Sequence, residues 1–317
     1  MDRQITEHYG RLPGECWEEF AHFSANLQHI LGIPFSVRHF QEYTACRTYA
    51  KMQAGLDLRA GITLPFADRD LARLATGRPA MFVSFHFGSY RSVPLRILAL
   101  GRSVCVVLSR EVMAKYSRYY SSLLVDPGDP DGPPGLLLVE AEDPSLFFKL
   151  RSATRRGMHA FVYADGARGA KVGAKEKEKL ISVELLKGRL GAMSGYLDFA
   201  HLLGLGVHLL LDSALQPQLG FQGKQLLTRS LPWHSDRKRF AESSLVEIFR
   251  CFGRSLCKFP HIWESLLYLH RQGVPTSALA GWKAEDRLVP LDPTMHWGLD
   301  RYTYRRYVVG DPASFGW

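Results

Sequence analysis

His86 stands directly after an apolar run, in Val83-Ser84-Phe85-His86-Phe87-Gly88, and is the residue of this chain best placed to do chemistry. In α/β folds, ligands bind at the carboxyl ends of strands. A histidine there, with an ordinary pKa near ~6.5, can take a proton from an acceptor close to neutrality. Gly88, lacking a side chain, would let a substrate approach the backbone closely. A second candidate is Asp165, at the end of another apolar run in Tyr163-Ala164-Asp165-Gly166. Its carboxylate could orient an imidazole. Two basic positions join them: Arg110, just past the run Val104–Leu108, and Arg189 in the turn Lys187-Gly188-Arg189 before a helix. One acid, one base and two cationic turns at strand ends would suit an anionic substrate. The same residues also have plainer readings: Asp165-Gly166 as a common turn pair, Arg110 as a surface charge, Gly188 as a turn glycine.

Positioning these groups requires strands that alternate with helices. Ala80–Phe85, Val104–Leu108, His159–Ala164 and Leu205–Leu211 read as strands. Between them, 91–100 and 194–203 read as helices, an alternation that predicts parallel pairing through crossovers. Residues 15–60 read as helical, with Trp17, Phe20, Phe23, Leu27 and Leu31 at helical spacing and Pro34 as punctuation. A short helix is expected over 68–76, with Asp68 as its N-cap, and helices return over 238–271. Residues 126–135 are too rich in proline and glycine for helix or central strand and read as an exposed loop. The lysine-rich stretch 171–179 reads as a solvated loop. The fold class expected is therefore α/β, a mixed, largely parallel central sheet flanked by helices, with an N-terminal helical segment. The organisation expected is a helical segment over 1–66, the α/β domain over 67–275 and a C-terminal extension over 276–317, all in one structural domain.

Composition narrows the function classes. The chain has 317 residues, 46% of them hydrophobic, which suits a globular domain and excludes a disordered one. Its formal charge of +9 favours acidic partners: nucleic acid, anionic lipid or an acidic carrier protein. Without metal-knuckle spacing, a basic–aromatic recognition motif or a long Lys/Arg run, nucleic acid is not expected as a partner. The five cysteines are odd in number and scattered, which suggests free thiols and a cytoplasmic setting, and Cys105 reads as a small buried hydrophobe. Residues 1–7 show no basic-then-apolar leader pattern. The longest near-apolar stretch, 202–211, is about half the ~20 residues of a membrane span, so any membrane contact is expected to be peripheral. No metal site is expected.

At these residues a family appears. The segment from Gly77-Arg78-Pro79 to His86-Phe87-Gly88 resembles the motif region of the lysophospholipid acyltransferase superfamily, and most of all the late (lauroyl/myristoyl) acyltransferases of lipid A biosynthesis. The likeness continues in order through Val106–Arg110, Gly157–Asp165 and Val183–Arg189. It closes on Pro260-His261-Ile262-Trp263-Glu264, similar to the family's C-terminal Pro-x-x-Trp motif, so that it spans about residues 70–270. The resemblance implies a glycerolipid acyltransferase-like fold and transfer of an acyl group from a thioester to an amine or hydroxyl. The donor would be carried on the phosphopantetheine of an acyl or peptidyl carrier protein, or on coenzyme A, with no further cofactor. The acceptor would be a small molecule, in a setting such as secondary metabolism, or a lipid. His86, Asp165 and Arg91 would be catalytic, with Arg91 or Arg110 and backbone N–H groups near Gly88 stabilising the oxyanion. Gly88, Ser89, Arg110, Gly188 and Arg189 would bind substrate. One departure matters: the family's His-x4-Asp/Glu acid is here Arg91, which cannot accept a hydrogen bond from imidazole. Either another acid replaces it, Asp165 first, or His86 works without one, or catalysis has been lost. In the last case the chain would be a carrier-protein-binding or interaction protein.

Overall fold

The structure is a computed structural model that describes residues 16–32, 37–59, 69–125, 133–166, 180–212, 226–272, 276–277, 287–292 and 296–310. Its centre is a six-stranded sheet in the order β3-β2-β4-β1-β7-β8. The strands are β1 (Ala80–Ser84), β2 (Val104–Leu108), β3 (Leu136–Glu140), β4 (His159–Tyr163), β7 (Gly206–Asp212) and β8 (Leu226–Ser230). All pair in parallel except β7 with β8, which runs antiparallel at one edge. The expected mixed, largely parallel sheet with flanking helices is what the chain forms.

The inner strands are mostly apolar because both faces of the sheet are covered. Along β1, Met81 and Val83 join one buried cluster with Phe249 and Phe252 of the helix Arg237–Lys258. Phe82, between them, joins a second cluster with Val93 and Ile97 of the helix Val93–Ala99. Phe85 continues the first face and stacks on Phe252 at 3.8 Å between ring centroids, which fixes the last residue before His86. Asp236 caps the long helix by accepting the Arg239 N–H, as its position before the helix demands.

After β1 the chain crosses toward β2 on the face of the helix Val93–Ala99. After β4 it crosses the other way, to β7, through the helix Gly195–Leu203 on the opposite face. The connections that follow β1 and β4 therefore leave on opposite faces of the sheet, and the carboxyl ends of such strands are where open α/β sheets bind ligands.

The helical segment over 15–60 is two helices, Trp17–Leu31 and Val37–Arg59; the first ends at Gly32, in the left-handed region at φ 64°. The helix expected over 68–76 spans Arg69–Ala75, so Asp68 lies outside the described residues. The helix expected over 91–100 begins as a 3₁₀ turn, Tyr90–Ser92, with the α-helix proper at Val93, where Pro94 suits the first turn. The return of helices over 238–271 is one long helix followed by 3₁₀ turns and a short helix, Leu269–Gln272. Two small antiparallel sheets were not expected: β5 (Leu180–Leu185), β6 (Gly188–Met193) and β9 (Thr276–Ser277), and β10 (Leu288–Pro290), β11 (Trp297–Asp300) and β12 (Arg305–Val308). Lys187-Gly188-Arg189 is thus a hairpin turn running into a strand, with six residues of β6 before the helix. Most of the loop expected over 126–135, and all of 171–179, lie outside the described residues. Among the described residues no helix is long and apolar enough to cross a membrane.

Candidate active site

His86 and Asp165 follow adjacent parallel strands, in register through Ser84 opposite Tyr163. This pairing makes a dyad of residues 79 apart in sequence. The His86 Nδ1 lies 2.9 Å from Asp165 Oδ1. The His86 backbone N–H also donates to the same carboxylate, at 3.0 and 3.1 Å. Two further donors hold Asp165 from behind: the Trp263 indole N–H at 2.6 Å and the Ser265 hydroxyl at 2.8 Å, both on Oδ2. A buried acceptor this well satisfied has its geometry fixed before any substrate arrives.

The electrostatics follow from the contacts. Burial pushes the Asp165 carboxyl up, but the His86 charge and the hydrogen bonds from His86, Trp263 and Ser265 outweigh it and hold the group below its ordinary value. Burial pushes His86 down, while the Asp165 carboxylate and its hydrogen bond pull it up, and the net direction is up. With Nδ1–H directed at Asp165, the free lone pair of the neutral ring is on Nε2. The His86 side chain keeps 25% of its surface exposed against 2% for Asp165, so solvent reaches the histidine but not the acid. Tyr163 stacks on the imidazole at 4.6 Å and Tyr90 meets it edge-on at 4.8 Å.

The loop after His86 is strapped to the segment that supplies Trp263. Glu264 N–H donates to the His86 carbonyl at 2.8 Å, and Gly88 N–H donates to the Ile262 carbonyl at 3.0 Å. Gly88 sits at φ 62°, a conformation that glycine adopts without strain. Its own N–H is engaged in this strap. Beside Gly88, Tyr43, Arg47 and Glu264 wall a cavity of about 10 Å³, enough for one water and not for a substrate group.

Arg91 is not a bare cation facing the site. Its guanidinium pairs with Glu264 at 3.0 Å and lies 4.3 Å over the Tyr90 ring. Ser89 is buried beside it in the same loop. His86, Asp165, Gly88, Ser89 and Arg91 are therefore brought together, whereas the other three expected site residues are not. Arg110 follows β2, which β4 separates from β1, and its exposed guanidinium pairs with Glu140 of β3. Arg189 is exposed in the small β5–β6 sheet and pairs with Glu184. Gly188 is glycine for packing: a Cβ there would stand 2.8 Å from the His29 carbonyl at the end of the first helix. The structure does not bring these three to the His86–Asp165 dyad. Sequence reasoning missed Ser265, Tyr90, Tyr163 and Glu264 as members of the site. Trp263 and Glu264 stood in the Pro260–Glu264 motif, but nothing in their spacing pointed to Asp165 or Arg91.

The five cysteines are free. Cys105 is buried in β2, and burial pushes its thiol up to about 12, which fits the inert reading. Among the described residues no cluster of His, Cys, Asp and Glu could hold a metal ion. The fold and site together define an α/β protein with a His–Asp dyad at the carboxyl edge of its sheet. No protein-family model matches the chain, and no curated protein matches it closely enough to count as a relative.

Proposed function

We propose that this protein is an acyltransferase with a glycerolipid acyltransferase-like fold, using His86 as general base. The observation that carries the reading is the His86 Nδ1 to Asp165 Oδ1 contact of 2.9 Å at the ends of adjacent strands, with the ring still open to solvent. An acceptor amine or hydroxyl gives its proton to His86 Nε2 as it attacks the thioester carbonyl. The tetrahedral intermediate collapses by breaking the C–S bond, and the leaving thiolate takes the proton back from Nε2. Asp165 holds the ring in the tautomer this requires and steadies the imidazolium that forms. The donor is a thioester on the phosphopantetheine of an acyl or peptidyl carrier protein, or on coenzyme A, and the +9 charge favours such acidic partners.

Arg91 at the place of the family acid is the reason to consider a chain that only binds carriers. Two contacts speak against that reading: Asp165 occupies the orienting role from another strand, and Glu264 neutralises Arg91. The test is intact-mass spectrometry of acyl-carrier proteins and candidate acceptors incubated with the protein. Transfer by the wild type, falling ~10²–10⁴-fold in His86→Ala, supports the reading. Transfer at near wild-type rate by a folded His86→Ala protein would remove His86 from the reaction.

A further inference from the structure

Glu264 lies between the chain's strap and its dyad. Its backbone N–H donates to the His86 carbonyl at 2.8 Å, and its own carbonyl accepts from the Tyr43 hydroxyl at 2.8 Å. Its carboxylate accepts from the Tyr90 hydroxyl at 2.7 Å and from Arg91 at 3.0 Å, with Arg47 at 3.8 Å. Tyr90 in turn meets the His86 ring edge-on. A single residue thus ties main chain and side chain to both ends of the segment His86–Arg91. Charges of opposite sign, both largely shielded from solvent, are thus paired next to the residue that meets the imidazole edge-on.

We propose that Glu264 and Arg91 form a counter-charged positioning pair for His86. The carboxylate anchors the 86–91 loop to the 260–264 segment, and the guanidinium offsets the field that carboxylate would otherwise exert on the imidazole. This goes beyond the Asp165 dyad and rests on the reading of His86 as the base. Neither residue of the pair touches the reacting atoms; both act through His86.

Among the described residues, several groups face His86 from its neighbouring elements. Asp165 and Tyr163 come from the end of β4, Tyr90 and Arg91 from the turn after β1, and Glu264 from the segment after the long helix. Tyr196, on the helix Gly195–Leu203, is raised by burial and then by the Asp165 charge, and Arg47 lies 3.8 Å from the Glu264 carboxylate. Glu264 favours the protonated ring and Arg91 disfavours it, each after the larger effects of burial and of Asp165. The pair should therefore be nearly silent when intact and strongly visible when halved.

The experiment is an NMR titration of the His86 side chain in the full chain, without substrate, in wild type, Glu264→Gln, Arg91→Gln and the double variant. Glutamine at 264 can still accept from Tyr90, so the anchor is largely kept while the charge is lost. The midpoint is expected to fall by about 0.5–1 pH unit in Glu264→Gln, to rise by about as much in Arg91→Gln, and to return near wild type in the double variant. Midpoints that stay within about 0.2 pH unit in both single variants, or that move in the same direction, overturn the proposal. Should Arg91→Gln fail to fold, Tyr90→Phe serves instead, since it frees the carboxylate from its hydroxyl donor and should also raise the midpoint. No rise there overturns the proposal equally. The titration needs no acyl donor, so its failure is distinct from failure of the acyl-transfer assignment. With a working donor, the pH–rate profiles of the variants should shift in the same directions.

Discussion

Asp165→Asn is the most informative single change, because the contacts leave asparagine no good way to sit. Asp165 Oδ1 faces His86 Nδ1 at 2.9 Å, and Oδ2 faces the Trp263 N–H at 2.6 Å and the Ser265 hydroxyl at 2.8 Å. If the amide nitrogen takes the Oδ2 place, two donors point at the indole N–H, which is then buried without an acceptor. Such a group costs about 1–3 kcal/mol. If the nitrogen takes the Oδ1 place, its N–H points at His86 Nδ1, and the ring must carry its proton on Nε2. That tautomer cannot accept a proton where the acceptor substrate would offer it. Stability and activity are thus linked: the rotamer that spares the fold removes the base. Loss of the carboxylate also removes the main attraction that raises His86, so its midpoint should fall. The expected outcome is a transfer rate down ~10²–10⁴-fold, with unfolding stability lowered by about 1–3 kcal/mol or less. The assays are single-turnover acyl transfer at saturating donor, urea unfolding and His86 side-chain titration. A folded Asp165→Asn protein with wild-type turnover and an unchanged His86 midpoint would refute the dyad.

Trp263→Phe keeps an aromatic ring against Phe252 but deletes the indole donor to Asp165, and urea unfolding should show a loss of about 1–2 kcal/mol with a partial loss of turnover. Arg91→Glu would set a second carboxylate beside Glu264 and Tyr90; because both side chains of the pair retain some exposure, the expected loss is about 2–3 kcal/mol by urea unfolding, and a gain in turnover would contradict the pairing. The pH–rate profile of the wild type should rise to a plateau with a midpoint above 6.5, the ordinary value, because His86 is raised; a midpoint below it would mean that burial, not Asp165, governs the ring. His208 is pushed down to about 4, first by burial and then by the charge of His159. Such a group contributes stability above its unfolded value of about 6.5 that is lost as pH falls toward 4, so the stability difference between pH 7 and pH 5 should shrink by about 1–2 kcal/mol in His208→Asn.

The four inner strands of the central sheet were legible because they are buried between its two covered faces, whereas the edge strands β3 and β8 were not foreseen. Val104–Leu108, His159–Tyr163 and the run after Leu205 are short, apolar and bounded by glycine or turn signals. The β5–β6 hairpin was harder. Val183 and Leu185 point inward at period two, but Gly188 and Gly191 make the second strand read as a turn. The last sheet was invisible to pattern, since its strands are three or four residues long and all four residues of β12 are exposed. Helix Leu146–Arg155 carries Leu150 and Ala153 on its buried face, a signal too short to stand without the strands on either side.

The site divides along a similar line. His86 and Asp165 could be found because both follow apolar strands, and strand ends are where parallel sheets place their chemistry. Strand order decides which strand ends become neighbours, and local sequence does not encode it. Arg110 also follows a strand, but that strand is β2, one position too far across the sheet. Arg91 posed the reverse problem. At the fifth place after His86, just past the four intervening residues of the motif, it looked like a lost acid, because spacing within one segment was the only partner information the sequence offered. Its counter-charge arrives from Glu264, 173 residues later. The orienting acid arrives from Asp165, 79 residues from the base. Two long-range contacts thus serve this site, one from Asp165 to the imidazole and one from Glu264 to the arginine. Both depend on the segment Trp263–Ser265, whose indole and hydroxyl hold the acid and whose intervening carboxylate holds the cation. A change in that segment should therefore disturb His86 as severely as a change in its own loop, because backbone hydrogen bonds strap the two together in the folded chain.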